Sequence, residues 1–199
     1  MNKVKNLLIA MALMLVAPMA AAQSFDLGSL LSKLTGGSEL TVSKMAGTWN
    51  YAEPAVSFKS DNLLKKAGGA AASAAVKKKL APYYKSAGFE KLVLKVEEDS
   101  TFTMSIGRIN LKGTITAPDE GSDASFKFNF MLVGKIKAAS MDTYVKVSGS
   151  SMDLMFDVSK LITLMELAGN ISGSSAVKGA TSLLKGYDGI TAGFTLKKQ

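Results

Sequence analysis

The sequence predicts a mainly β protein: an antiparallel up-and-down barrel of eight to nine strands. It adds an N-terminal helix, an inserted basic helix and two short helices before the last strand. Three observations lead there. From Thr48 onward, apolar and polar residues alternate with period two in short runs, the mark of strands with one buried face. Tight polar or glycine-bearing turns join successive runs, as in a meander. An open sheet of that many strands would leave unpaired edges, and closure removes them.

The elements follow in order. Residues 1–22 read as a secretory signal peptide, with Lys3 and Lys5 as its positive start, an apolar stretch over residues 7–16, and Ala20-Ala21-Ala22 as the cleavage site. The apolar stretch is shorter than the ~20 residues a membrane span needs. Cleavage would start the chain at Gln23 or Ser24, and losing two lysines lowers the net charge from +8 to +6. Residues 23–199 suit a single barrel domain. Phe25, Leu27, Leu30, Leu31 and Leu34 then fall at helical spacing, with Gly36-Gly37 as a stop. That helix either packs on the barrel or docks on a membrane or partner.

The first strand is expected over residues 48–53. Pro54 should break it, with Val56 and Phe58 continuing as an extended edge. Ser60 or Asp61 can cap the next segment. Residues 62–80, rich in Ala and Lys, favour helix, weakened at Gly68-Gly69 and stopped by Pro82. Such an insertion between the first two strands is a candidate lid. Strands then follow around Leu92–Val96, Thr101–Ile106, Ile109–Thr116, the Phe126, Phe128, Phe130, Leu132 face, residues 135–141, the Thr143, Val145, Val147 run, and Met152–Val158. Residues 160–168 switch to helix, ended by Gly169. Residues 175–185 form a second helix, and Ile190, Ala192, Phe194 and Leu196 form the last strand.

Composition excludes several chemistries. The chain has no cysteine, so an exported form has no disulfides and no lipidated cysteine, which fits a bacterial envelope. It has no histidine, which removes Ser-His-Asp and Cys-His nucleophiles and histidine metal sites. Its one arginine, Arg108, leaves bidentate clamps on phosphate or carboxylate nearly unavailable. Two S-x-x-K strings, Ser175 to Lys178 and Ser182 to Lys185, and the triplet Ser60-Asp61-Asn62 evoke serine β-lactamase motifs. Their order is reversed and no K-T-G exists, so they read as helical turns and a cap. Asp119, Glu120 and Asp123 match no calcium loop and read as a solvated hairpin. The lysines lie on an Ala-rich helix without interleaved aromatics or arginines, unlike a nucleic-acid site.

Gly47-Thr48-Trp49 at the head of the first strand, the meander after it and a helix before the last strand resemble the lipocalins. The likeness is nearest to the lipocalin-like (calycin-type) exported proteins of unknown function found in gut Bacteroidetes. The resemblance implies that Trp49, after Gly47, plugs the closed end of the barrel beneath a cation from the last strand. That cation is arginine in the family, and Lys197 or Lys198 stands nearest here. The second lipocalin signature, Thr-Asp-Tyr, is absent in that order; the chain reads Asp142-Thr143-Tyr144.

The resemblance further implies a small apolar ligand. The candidate interior residues are Phe102, Met104, Ile106, Phe126, Phe128, Phe130, Met152, Leu154 and Phe156. An eight-stranded barrel is just wide enough either to be filled by such side chains or to hold one small molecule. The expected function is that of an exported, periplasmic or secreted, monomeric lipocalin-like protein binding a small apolar or lipid-like molecule inside the barrel. It is expected to use no cofactor, metal or catalytic residue, and to bind no nucleic acid. The alternative is a solid-core envelope module acting on an anionic surface through the basic helix of residues 65–85 and the amphipathic segment of residues 25–34.

Overall fold

Eight strands close on themselves in sequence order, each antiparallel to the next, and the eighth pairs back to the first. They are β1 (Gly47–Phe58), β2 (Leu92–Val96), β3 (Thr101–Ile106), β4 (Ile109–Thr116), β5 (Phe126–Phe130), β6 (Ala139–Ser148), β7 (Ser151–Asp157) and β8 (Ile190–Lys198). The helices are α1 (Val42–Met45), α2 (Asp61–Lys66), α3 (Gly69–Ser86), α4 (Val158–Gly169) and α5 (Ser175–Lys185), with a 3₁₀ turn at Phe89–Lys91. This computed structural model describes residues 40–131, 139–169 and 175–199. The helix expected over residues 25–34 lies outside the described residues, as does most of the run expected over residues 135–141.

Alternation in the sequence becomes alternation across the wall. On β3 and β5 every second residue is buried: Phe102, Met104 and Ile106, then Phe126, Phe128 and Phe130. Antiparallel pairing sets these in rows around the barrel, so that Val96, Phe102, Gly113 and Phe130 stand side by side. The row closes tightly at Gly113. A Cβ there would strike the Asn129 carbonyl oxygen and come within 2.7 Å of the Phe102 ring. One inward polar side chain, Thr143, is fully buried and donates its hydroxyl to the Phe126 carbonyl at 2.9 Å, which satisfies it.

Two prolines behave differently from the sequence expectation. β1 runs unbroken through Pro54, which pairs with Phe194 of β8. The strand tolerates it because β2 pairs with β1 only over Gly47–Asn50, and the β1–β8 register shifts between Tyr51 and Glu53. Proline is admitted where one side of a strand has no ladder, or beside a bulge. Likewise Pro82 sits inside α3, which continues to Ser86. Proline forfeits the bond to the carbonyl four residues back, here that of Lys78. Lys78 and Pro82 are both exposed, so water can serve that carbonyl, while Leu80 and Tyr84 on the opposite face are fully buried and hold the last turns down.

The expected single basic helix is two. Gly68 and Gly69 adopt φ of +106° and +71°, values that L side chains resist, and they separate α2 from α3. Ser60 caps α2 by accepting from the Leu63 N–H at 3.3 Å.

Strand direction fixes the two ends of the barrel. α1, the start of β1 and the end of β8 share one end, together with the 97–100 turn. The excursions between β1 and β2 and between β7 and β8 leave from the other end, so α2 to α5 all belong to it.

Candidate functional site

The closed end is built on Trp49, which has no exposure. Its indole N–H donates to the Met45 carbonyl at 2.7 Å, so α1 both covers the ring and satisfies its one polar atom. Trp49 pairs in register with Lys198, whose ammonium lies 5.4 Å from the ring centroid. Lys198 therefore occupies the place that the lipocalin resemblance gives to an arginine, and Lys197 does not. Gly47 makes room for it: φ is +125°, and a Cβ would lie 2.8 Å from Lys198 Cε. Gly-x-Trp and the terminal lysine are thus one packing unit.

All nine candidate interior residues lie on inward faces and are buried. Their rings meet one another. Phe102 is 4.7 Å from Phe128 and 5.1 Å from Phe130 by centroid, and Phe156 is 6.3 Å from Phe194. None of the nine lines any of the three clefts described next.

The helix-covered end is plugged by aromatics and then opens outward. Tyr84 from α3 and Phe89 reach Phe194 at 5.6 and 4.7 Å. At the same end is an open cleft of about 700 Å³, lined mainly by apolar atoms. Val158 and Ile162 of α4 form one wall, and Thr181, Leu184 and Lys185 of α5 the other. Tyr187, Gly189, Ile190, Ser159 and the Lys59–Asp157 pair complete it. Two further clefts are one of about 570 Å³ between α3 and β1, mixed in polarity, and a small one of about 110 Å³ between α2 and residues 186–188.

Lys59 is the electrostatic hub of the larger cleft. Its ammonium lies 3.1 Å from Asp157, 3.8 Å from Asp123 and 4.9 Å from the Tyr144 ring centroid. Burial works to lower its pKa, but the Tyr144 hydroxyl and the Asp157 carboxylate outweigh this and raise it. Tyr144 donates to Asp123 at 2.9 Å, and burial is the first cause that raises its own pKa. One lysine thus ties β1, β7, β6 and the 117–125 loop together, and it stays charged. Lys185 at the rim has no acidic partner among the described residues.

The remaining sequence candidates do not form one site. Asp119 pairs with Lys127 and Asp123 with Lys59 and Tyr144, while Glu120 is exposed. Asp99 accepts from the Thr101 hydroxyl and N–H, which lowers its pKa and fixes the β2–β3 turn. Ser175 and Ser182 stand exposed on α5, and Ser60 is a helix cap. The cleft residues were missed by sequence reasoning. Their signal was the width of the apolar stripe on α4: Leu161, Leu164 and Met165 fill the core, and Val158 and Ile162 form a second, half-buried ridge.

A closed antiparallel barrel whose opening strand carries a buried tryptophan beneath a cation of the final strand defines a protein of the lipocalin type. The chain belongs to the lipocalin-like domain family DUF4923, whose model matches residues 21–198. No curated protein matches it significantly. Among solved structures it is similar to a DUF4847 family protein from Bacteroides vulgatus at 16% identity. That match covers 55% of this chain and 83% of the other, with a TM-score of 0.29, too low to bear on the fold.

Proposed function

We propose that this chain is exported to the bacterial envelope and there binds one small apolar or lipid-like molecule, in the cleft at the helix-covered end of the barrel. The observation that carries the reading is that cleft. Its volume of about 700 Å³ lies in the ~300–1,000 Å³ range of small-molecule sites, and its lining is predominantly apolar. The inward faces of the strands are, by contrast, occupied by their own side chains. Export is supported by the character of residues 1–22.

Binding in such a cleft is driven by removing apolar surface from water, about 25 cal/mol per Å² before the costs of association. Mass spectrometry of an organic extract of the purified protein tests it, together with uptake of a fluorescent apolar dye. A co-purifying apolar molecule and saturable uptake are expected. Ile162→Trp fills the cleft from a half-buried position and should abolish uptake with little change in melting temperature. A clean extract and no uptake by the native protein would overturn the reading.

A further inference from the structure

The charge of this protein is not spread over its surface. Residues 40–199 contain 21 lysines and arginines against 14 acids. The three helices α2, α3 and α5 hold eight of those lysines and one acid, Asp61, so everything else is balanced at 13 against 13. The whole excess sits on helices at one end of the barrel.

These helices form a continuous face. α3 and α5 touch so closely that a Cβ on Gly179 would lie 2.5 Å from the Tyr83 ring. Two of the eight lysines have acidic partners, Lys66 with Asp188 and Lys77 with Glu53. Lys78, Lys79 and Lys85 of α3 and Lys178 of α5 are exposed and have no acidic partner among the described residues. Around them stand Ala71, Ala74, Ala75 and Pro82, small or short side chains that leave the ammonium groups projecting.

We infer that this helical face docks on an anionic phospholipid surface, bringing the cleft mouth at Lys185 against the membrane. The match is one of charge: lysines held within a Debye length, ~10 Å, of an anionic leaflet are attracted to it, and their contributions add. Lysine, a mobile point charge, suits a fluid array of headgroup phosphates; planar bidentate recognition would call for arginine. Arg108 stands alone in the β3–β4 turn, off these helices, and among the described residues no exposed aromatic accompanies the lysines as a platform for nucleic-acid bases. Met131, at the tip of β5, is the only large hydrophobic among the described residues exposed by as much as 50%. Docking is therefore peripheral and reversible by salt, not insertion.

The test is co-sedimentation of the chain from residue 23 with vesicles of phosphatidylcholine, alone or with about one-third phosphatidylglycerol, over roughly 0.05 to 0.5 M salt. Two variants are compared: Lys78→Gln, Lys79→Gln, Lys85→Gln and Lys178→Gln together, and Lys44→Gln, Lys112→Gln, Lys146→Gln and Lys197→Gln together, the latter on the strands and at the Trp49 end. Each removes four exposed charges, and Trp49 fluorescence checks that both are folded. Binding only to the anionic vesicles, lost with salt, and a partition coefficient reduced at least tenfold in the first variant but about twofold or less in the second, is expected. No binding to anionic vesicles at low salt overturns the inference, as does equal loss in both variants, which would indicate net charge alone. Tighter binding to a soluble anionic polysaccharide than to the vesicles would also overturn it, giving the face to a glycan.

Discussion

At the residue scale, Trp49 and Tyr84 show how differently two buried aromatics can be served. Trp49 has its N–H satisfied by Met45 and its face covered by Lys198. Trp49→Ala should cost ~3–5 kcal/mol, a large part of the ~5–15 kcal/mol that holds a domain together. Lys198→Met should cost about 0.5–1 kcal/mol, the worth of an exposed cation–π contact. Chemical denaturation followed by the red shift of the single tryptophan measures both, and a native emission already red would mean that the ring is exposed.

Tyr84 is the opposite case: its hydroxyl is fully buried with no hydrogen-bond partner among the described residues. Burial drives its pKa well above the usual value, and burial followed by Glu90 and Glu53 pushes Tyr51 to about 12. The unfolded chain ionises both near pH 10. The stability they contribute is thus complete below about pH 10 and lost as pH rises, for Tyr51 up to about 12. Tyr51→Phe with Tyr84→Phe should flatten this alkaline limb in a series of denaturation curves, and Tyr84→Phe alone should not destabilise the protein at neutral pH, because no bond is lost.

At the element scale, the strands were legible and the interruptions were not. Period-two alternation located β2, β3, β4, β5 and β7 because each has one face in the core and one in water, the condition under which the pattern is written. α5 was legible to its ends, since Ser175 and Gly186 frame it. The prolines misled for a common reason. A proline is costly only where its neighbours need the missing N–H, and that depends on pairing the sequence does not display. At Pro54 the second ladder has already ended, and at Pro82 the orphaned carbonyl faces water. Gly113 carries the converse lesson. Its place in the alternating run of β4 is ordinary in sequence, yet the β5 backbone and the Phe102 ring leave no space there for a Cβ.

At the scale of the whole molecule, the barrel separates what stabilises it from what is available to a ligand. The sequence located the inward apolar faces, but alternation cannot say whether facing side chains meet or leave a void; that depends on ring orientation across the barrel. Here Phe102, Phe128 and Phe130 meet at centroid distances of 4.7 and 5.1 Å, and the cleft is lined instead by α4, α5 and residues 187–190. The two regions should respond oppositely to substitution. Phe128→Ala removes a fully buried ring and should cost ~3–5 kcal/mol, lowering the melting temperature by roughly 6–20 °C. Below that lowered midpoint the cleft walls are unchanged, so dye uptake should keep its native affinity. Ile162→Trp should do the reverse, abolishing uptake while the melting temperature moves by only a few degrees. Calorimetry and dye titration of the two variants side by side give the answer. A folded Phe128→Ala protein that had lost its affinity would move the ligand from the cleft to the barrel interior, among the nine inward side chains.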